Sequence, residues 1–166
     1  MTVIVPVAQC TPRELDELLA TRELVVAVGE GELRGSAAAA LLFGGWSVLT
    51  GDATIVLDTP AAWAGAAWRM GDRAYSCWLA GVTKFDAAAA FREGLCDAVV
   101  PGGVEPVDWV TQWIGTRSEL ALDSAALLIQ RGGGDAAERA EFARLFAAGE
   151  PQKGLSAFLE KRAPRF

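Results

Sequence analysis

Apolar positions first recur at helical spacing in "CTPRELDELLATREL", where Leu15, Leu18 and Leu19 form one stripe. Thr11 is placed to cap that helix, Pro12 suits its first position, and Glu14 completes a capping box. "ELVVAVGEGEL" then reads as a short strand, buried on both faces because its apolar run is unbroken. A glycine turn follows, and the alanine-rich stretch from about 35 to 42 predicts a helix ended by Gly44 and Gly45. "WSVLTGDATIVL" predicts either two short strands around Thr50-Gly51-Asp52 or one strand with a break. Residues 61–81 look helical, with breaks expected at Gly65 and Gly71. In "TKFDAAAAFREGLCDAVVPGG" a helix through Ala87 and Phe91 stops at Gly94, and "LCDAVV" forms a strand ended by Pro101.

From Pro106 onward the pattern is helical: about 106–115, 118–130, 136–148 and 152–161, with a glycine break at 132–134. Asp135 with Glu138 repeats the capping-box pattern, and Pro151 suits a first helical position. Strands interspersed with helices, then a helical tail, predict an α/β fold. The expected organisation is an α/β core over 1–105 and a helical region over 106–166 within one structural domain, with no repeats and no long linker.

A chain of 166 residues is long enough to bury roughly 70% of its unfolded surface, and a hydrophobic content of 52% argues against disorder. The net charge of −6 speaks against a nucleic-acid partner. Histidine is absent, which removes Ser-His-Asp and Cys-His triads, histidine bases and histidine metal sites together. Cys10, Cys77 and Cys96 are odd in number and form no CxxC pair, so they read as buried thiols of a reducing compartment, and no metal site is expected. The first ten residues carry no basic leader, and the nearly uncharged stretch from Gly35 to Gly51 falls short of the ~20 apolar residues a membrane span needs. A soluble, cytoplasmic chain without membrane contact is the expectation.

The turn in "GELRGSAAAALL" opens a helix, so it presents unpaired backbone N–H groups at the positive end of a helix dipole. Such a turn can hold a phosphate or polarise a carbonyl oxygen. There is no GxxxxGK[ST] and no GxGxxG spacing, which sets nucleotide binding aside. The alternative is packing, since small alanines let a helix approach a sheet closely.

The tail "EPQKGLSAFLEKRAPRF" resembles the C-terminus of the crotonase family, the enoyl-CoA hydratases and isomerases, through Gly154, Ala157, Phe158, Leu159, Glu160, Lys161, Arg162, Pro164 and Phe166. "WLAGVTKFDAAAAFREGLCDAVVP" and "ELVVAVGEGELRGSAAAALL" are similar to two further segments of that family, so the resemblance covers roughly residues 23–166. It implies a crotonase-like ββα superhelix, shortened at the N-terminus, with a helical C-terminal trimerisation region. It also implies an acyl-CoA or acyl-carrier-protein thioester as substrate, no covalently bound cofactor, and either a homotrimer or assembly with a full-length crotonase. By the same resemblance, the backbone N–H of Gly35 belongs to an oxyanion hole, and Arg34, Ser36, Ala38, Thr59, Trp63 and Trp68 fall around an acyl pocket. Lys161 and Arg162 fall where the phosphates of coenzyme A would be paired, the other reading being a solvated tail.

The chain departs from the family pattern where the chemistry would be. The two glutamates of a hydratase correspond to Ala38 and Thr59, with Asp58 one place early as a weak candidate acid or base; its other reading is a cap for the following helix. Arg34 and Ser36 replace glycines, no "AGxD" segment is present, and Gly65, Gly71 and Arg73 only echo a further glycine-rich element. Asp72 lies near the place where related dehalogenases carry a nucleophile, the other reading being an exposed helix charge. The tryptophans read as core or subunit-interface anchors. The expectation is therefore a family protein that binds an acyl thioester and lacks the glutamates for efficient hydration, decarboxylation or double-bond isomerisation fitting better if it turns over. The alternative is a non-catalytic scaffold or subunit of a larger complex.

Overall fold

The computed structural model describes residues 2–21, 23–131 and 134–166. In chain order the elements are β1 (Thr2–Pro6), α1 (Pro12–Ala20), β2 (Leu24–Gly29), β3 (Glu32–Leu33), α2 (Gly35–Phe43), β4 (Trp46–Leu49), β5 (Thr54–Val56) and α3 (Pro60–Met70). They continue with α4 (Asp72–Leu79), β6 (Lys84–Asp86), α5 (Ala87–Glu93), β7 (Ala98–Val99), α6 (Pro106–Gly115), α7 (Glu119–Arg131), α8 (Asp135–Ala147) and α9 (Glu150–Leu159). The chain divides into two compact units. One comprises 3–21 and 25–109; the other comprises 110–166 with short pieces near residues 2 and 23–24.

In the first unit, one sheet runs β1-β2-β4-β7 and a second runs β3-β5-β6. β4 lies parallel to β2 and to β7, pairing Val26 with Trp46 and Val48 with Ala98. β5 is parallel to β3 and antiparallel to β6, pairing Leu33 with Ile55 and Ile55 with Phe85. "WSVLTGDATIVL" is thus two strands, and they belong to different sheets rather than to one hairpin. The strand expected over "LCDAVV" is reduced to the two residues of β7, and β6 forms just ahead of α5, where no strand was expected.

The capping box forms as its residues predict. The Glu14 N–H donates to Thr11 Oγ1 at 3.3 Å and the Thr11 N–H donates to Glu14 Oε2 at 2.8 Å, closing two of the open donors at the start of α1. α2 is buried nearly all round, from Ala37 to Leu42 without interruption. α3 packs on it and runs through Gly65, where a break was expected. A Cβ at Gly65 would stand 2.6 Å from Leu42 Cβ, so glycine is there for close helix approach and not to end the helix. Gly71, with φ +56°, does separate α3 from α4. Gly94 ends α5 in the left-handed conformation at φ +80°, and Asp86 caps the start of that helix.

In the second unit, α8 begins differently from its pattern. Gly134 occupies the cap position without a side-chain bond, so Asp135 is the first helical residue and pairs instead with Arg139 one turn on. The expected glycine break includes residues 132 and 133, which lie outside the described residues. α9 starts from Gly149 in the left-handed conformation, with Pro151 in its first turn. Arg144 donates to Ser124 Oγ at 2.6 Å, tying α8 to α7. Among the described residues, no helix is long and apolar enough to cross a membrane.

Candidate functional site

The turn after β3 carries the most constrained backbone near the candidate site. Arg34 is extended, at φ −133° and ψ 160°, and Gly35 follows at φ +52° as the first residue of α2. A Cβ on Gly35 would meet nothing closer than Thr59 Cγ2 at 3.9 Å, so the left-handed backbone, not crowding, requires glycine there. The carbonyl of Arg34 accepts from the N–H groups of Ala37 at 3.0 Å and Ala38 at 3.3 Å, closing the first helical turn.

The N–H of Gly35 is not open. It donates to Asp58 Oδ1 at 3.0 Å, while Arg34 Nη1 donates to Asp58 Oδ2 at 3.2 Å. The carboxylate therefore faces the amide at the start of α2, where the helix dipole favours an anion, and a guanidinium neutralises its other oxygen. Arg34 Nε in turn donates to Glu32 Oε1 at 2.7 Å, and Lys84 Nζ to Glu32 Oε2 at 3.1 Å. Hydrogen bonds from Arg34 and then Lys84 hold the Glu32 carboxyl below the ordinary glutamate range, and Glu32 followed by Asp58 holds the Arg34 guanidinium up. The result is a chain of alternating charge, Lys84–Glu32–Arg34–Asp58, ending on the Gly35 amide.

Asp58 reaches this place because it lies two residues past the end of β5, directly after the buried Leu57. The cap of α3 is supplied by its neighbour: Thr59 Oγ1 accepts from the Ala62 N–H at 3.3 Å. The reading of Asp58 as that helix's cap is thereby corrected. Of the other candidates, Ser36 is half-buried at the second position of α2, and Ala38 is wholly buried in the core. Trp63 is half-buried against the core, whereas Trp68 is 59% exposed with its ring 6.4 Å from that of Phe43. Asp72 is exposed at the first position of α4.

Lys161 and Arg162 belong to the second unit, just past α9. The Arg162 N–H donates to the Ala157 carbonyl at 3.0 Å and the Lys161 N–H to the Phe158 carbonyl at 3.1 Å, with Lys161 at φ +53°. This is a Schellman-type helix end with lysine where glycine is the usual residue. Cys77 and Cys96 are buried; burial, with the adjacent Asp97 carboxylate adding to it, pushes the Cys96 thiol up to about 11 and keeps it neutral. Burial followed by the charge of Glu14 also raises Cys10, so neither Cys10 nor Cys96 is prepared as a thiolate nucleophile. Among the described residues no cluster of His, Cys, Asp and Glu could hold a metal ion.

Two members of the charge chain, Glu32 and Lys84, were not candidates on the sequence. They are 52 positions apart and meet only because β3 and β6 flank β5. Their one legible signal is charged residues placed on very short strands. Chemically, the arrangement positions a carboxylate beside a helix N-terminus, and in doing so it occupies the Gly35 backbone donor.

No family model matches the chain, and no curated protein sequence matches it. Solved structures do. A Pseudomonas aeruginosa structure described as DspI is 24% identical, with 92% of this chain and 64% of that chain covered and a TM-score of 0.70. An enoyl-CoA hydratase from Polaromonas is 22% identical, with 92% and 66% covered and a TM-score of 0.73. An enoyl-CoA hydratase subunit I from Geobacillus kaustophilus is 20% identical, with 99% and 79% covered and a TM-score of 0.75. The chain spans 64% of the first of these proteins. What this likeness establishes is the fold: a crotonase-like α/β architecture.

Proposed function

We propose, from the crotonase-like fold, that this chain is a non-hydrating relative of the enoyl-CoA hydratases and isomerases that works as a scaffold or subunit of an assembly rather than by turnover. The observation that carries this reading is the bond from the Gly35 N–H to the Asp58 carboxylate. An acyl thioester needs that amide for the oxygen on which charge develops, and here an internal anion holds it. Hydration further requires positioned acid–base groups, typically contributing 10²–10⁴-fold. The buried Ala38 offers none, and Thr59 spends its hydroxyl as a helix cap. On α9, Leu155, Phe158 and Leu159 are 60–79% exposed, which supports assembly with further subunits, a homotrimer or a longer crotonase.

A second reading is favoured by the same carboxylate. Asp58 stands within hydrogen-bond distance of the amide, so a thioester that displaced it would have an acid or base beside its carbonyl. On this reading the chain is an acyl-CoA or acyl-carrier thioester lyase or isomerase, with Asp58 handling protons and Lys161 and Arg162 pairing the carrier's phosphates.

Calorimetric titration with acetyl-CoA and crotonyl-CoA separates the two. A hydrogen bond to a charged group contributes about 1.5–3 kcal/mol, and the exposed Arg34–Asp58 pair adds little to it. A thioester therefore has about 1.5–3 kcal/mol to overcome, roughly a 10- to 150-fold affinity loss. The expected result is no micromolar binding by the wild type, a gain of that order in Asp58→Ala, and no hydration by either. Micromolar binding by the wild type, with double-bond isomerisation of crotonyl-CoA, or decarboxylation of a malonyl thioester added as a further substrate, that Asp58→Asn abolishes, would establish the second reading instead.

A further inference from the structure

β1 is an end strand of its sheet, paired on one side to β2. Its sequence, "TVIVP", contains none of the charged residues that usually guard an open edge, and only its closing proline lacks a donor. Beside its C-terminal end lies a cavity of about 330 Å³ between the strand, the following loop and α1. Val5, Pro6 and Leu18 supply its apolar lining, and Gln9 and Cys10 its neutral polar part. The remaining lining residues are Glu14 and Glu17, and no Lys or Arg lines it. Glu14 stays ionised because the backbone N–H of Thr11, and then its hydroxyl, hold that carboxyl below the ordinary range. Glu17 is paired to Arg13 along the helix, but both side chains are exposed, at 63% and 89%, so the pair leaves the carboxylate open to a competing cation.

An apolar notch with two carboxylates, alongside an unguarded strand edge, is a combination that an extended chain satisfies in full. The edge supplies backbone donors and acceptors, the notch takes one side chain, and the carboxylates select charge. At the lower limit of ligand-pocket volumes, about 300 Å³, the cavity suits a side chain or two better than a whole cofactor. We propose that the outer edge of β1 and the groove against α1 form a docking site for an extended segment of a partner polypeptide, which adds to the sheet as a strand. That segment places an apolar residue in the notch and Lys or Arg two positions away, on the same face, against Glu14 and Glu17. The site shares no residue with the Gly35 turn, so it stands or falls apart from the thioester question.

The test uses the full chain and two labelled seven-residue peptides, read by fluorescence anisotropy. One has a central valine, lysine two positions to either side and threonine elsewhere; the other has glutamate in place of lysine. The lysine peptide should bind at least tenfold more tightly, weaken as salt rises, and slow hydrogen exchange of the β1 amides. Glu17→Lys, a surface change on α1, should reverse the preference while leaving the thermal midpoint nearly unchanged. No binding by either peptide, equal binding by both, or an unchanged preference in Glu17→Lys would overturn the proposal. Sedimentation showing a self-associated chain that Glu17→Lys dissociates would overturn the partner assignment and make the occupant a second copy.

Discussion

Arg69 holds the C-terminal end of α2 with a side chain only 7% exposed. Its Nε donates to the Leu42 carbonyl at 2.9 Å, and its Nη2 to the Gly44 carbonyl at 2.7 Å and Ser47 Oγ at 2.6 Å. Its Nη1 pairs with Asp97 at 2.9 Å, and Asp97 in turn accepts from the Ser47 N–H at 2.7 Å. Removing such a hub leaves several part-buried acceptors unpaired, so Arg69→Leu should cost about 3 kcal/mol, measured as a lower urea midpoint at unchanged slope. The Arg34–Asp58 pair is the opposite case. It is exposed, and its loss should alter what the Gly35 amide can bind far more than how stable the fold is. Gly35 itself, and the absence of a glutamate at 38, were legible because each is a statement about one position. The Gly35–Asp58 bond was not, because it joins residues 23 apart across the ends of two strands. Arg69 was not singled out in the sequence for the same reason: its partners lie 22 to 28 positions away.

At the scale of elements, what is local reads well. The Thr11 box forms because its partners sit within one helical turn, and its removal gives a clean prediction. Thr11→Ala should cost about 1 kcal/mol, measured by chemical denaturation near neutral pH. The pH dependence follows from the depressed Glu14 carboxyl. Its stabilising contribution is present in full above the ordinary glutamate value and is lost as pH falls through the lower folded one. In Thr11→Ala that acid-side loss should shrink, because the folded and unfolded values draw together. Gly65 shows the limit of local reading. Helix propensity marks it as a breaker, yet contact with Leu42 decides the matter, and the pattern of α3 carries no trace of what lies across from it. α8 shows another: Asp135 and Glu138 have capping-box spacing, but the helix starts one residue earlier than that box needs, and Asp135 is spent on Arg139.

For the molecule as a whole, the α/β class and the crotonase-like fold were legible, the latter through a few dense segments such as "GLSAFLEKRAPRF" and the glycine turn. Sequence identity to the solved structures is only 20–24%, although their folds superpose at TM-scores of 0.70–0.75. Fold and chemistry are separable here. The architecture brings the end of β5 to the start of α2, and with it Asp58 to the Gly35 amide. The most direct test of this account is the amide proton of Gly35, followed by NMR in glycine-labelled protein while acetyl-CoA is added. A resonance at the low field of a carboxylate-bonded amide, shifted upfield in Asp58→Asn and unmoved by acetyl-CoA at up to about a hundredfold excess, is the predicted result. A Gly35 resonance that moves and saturates with micromolar acetyl-CoA in the wild type would contradict it.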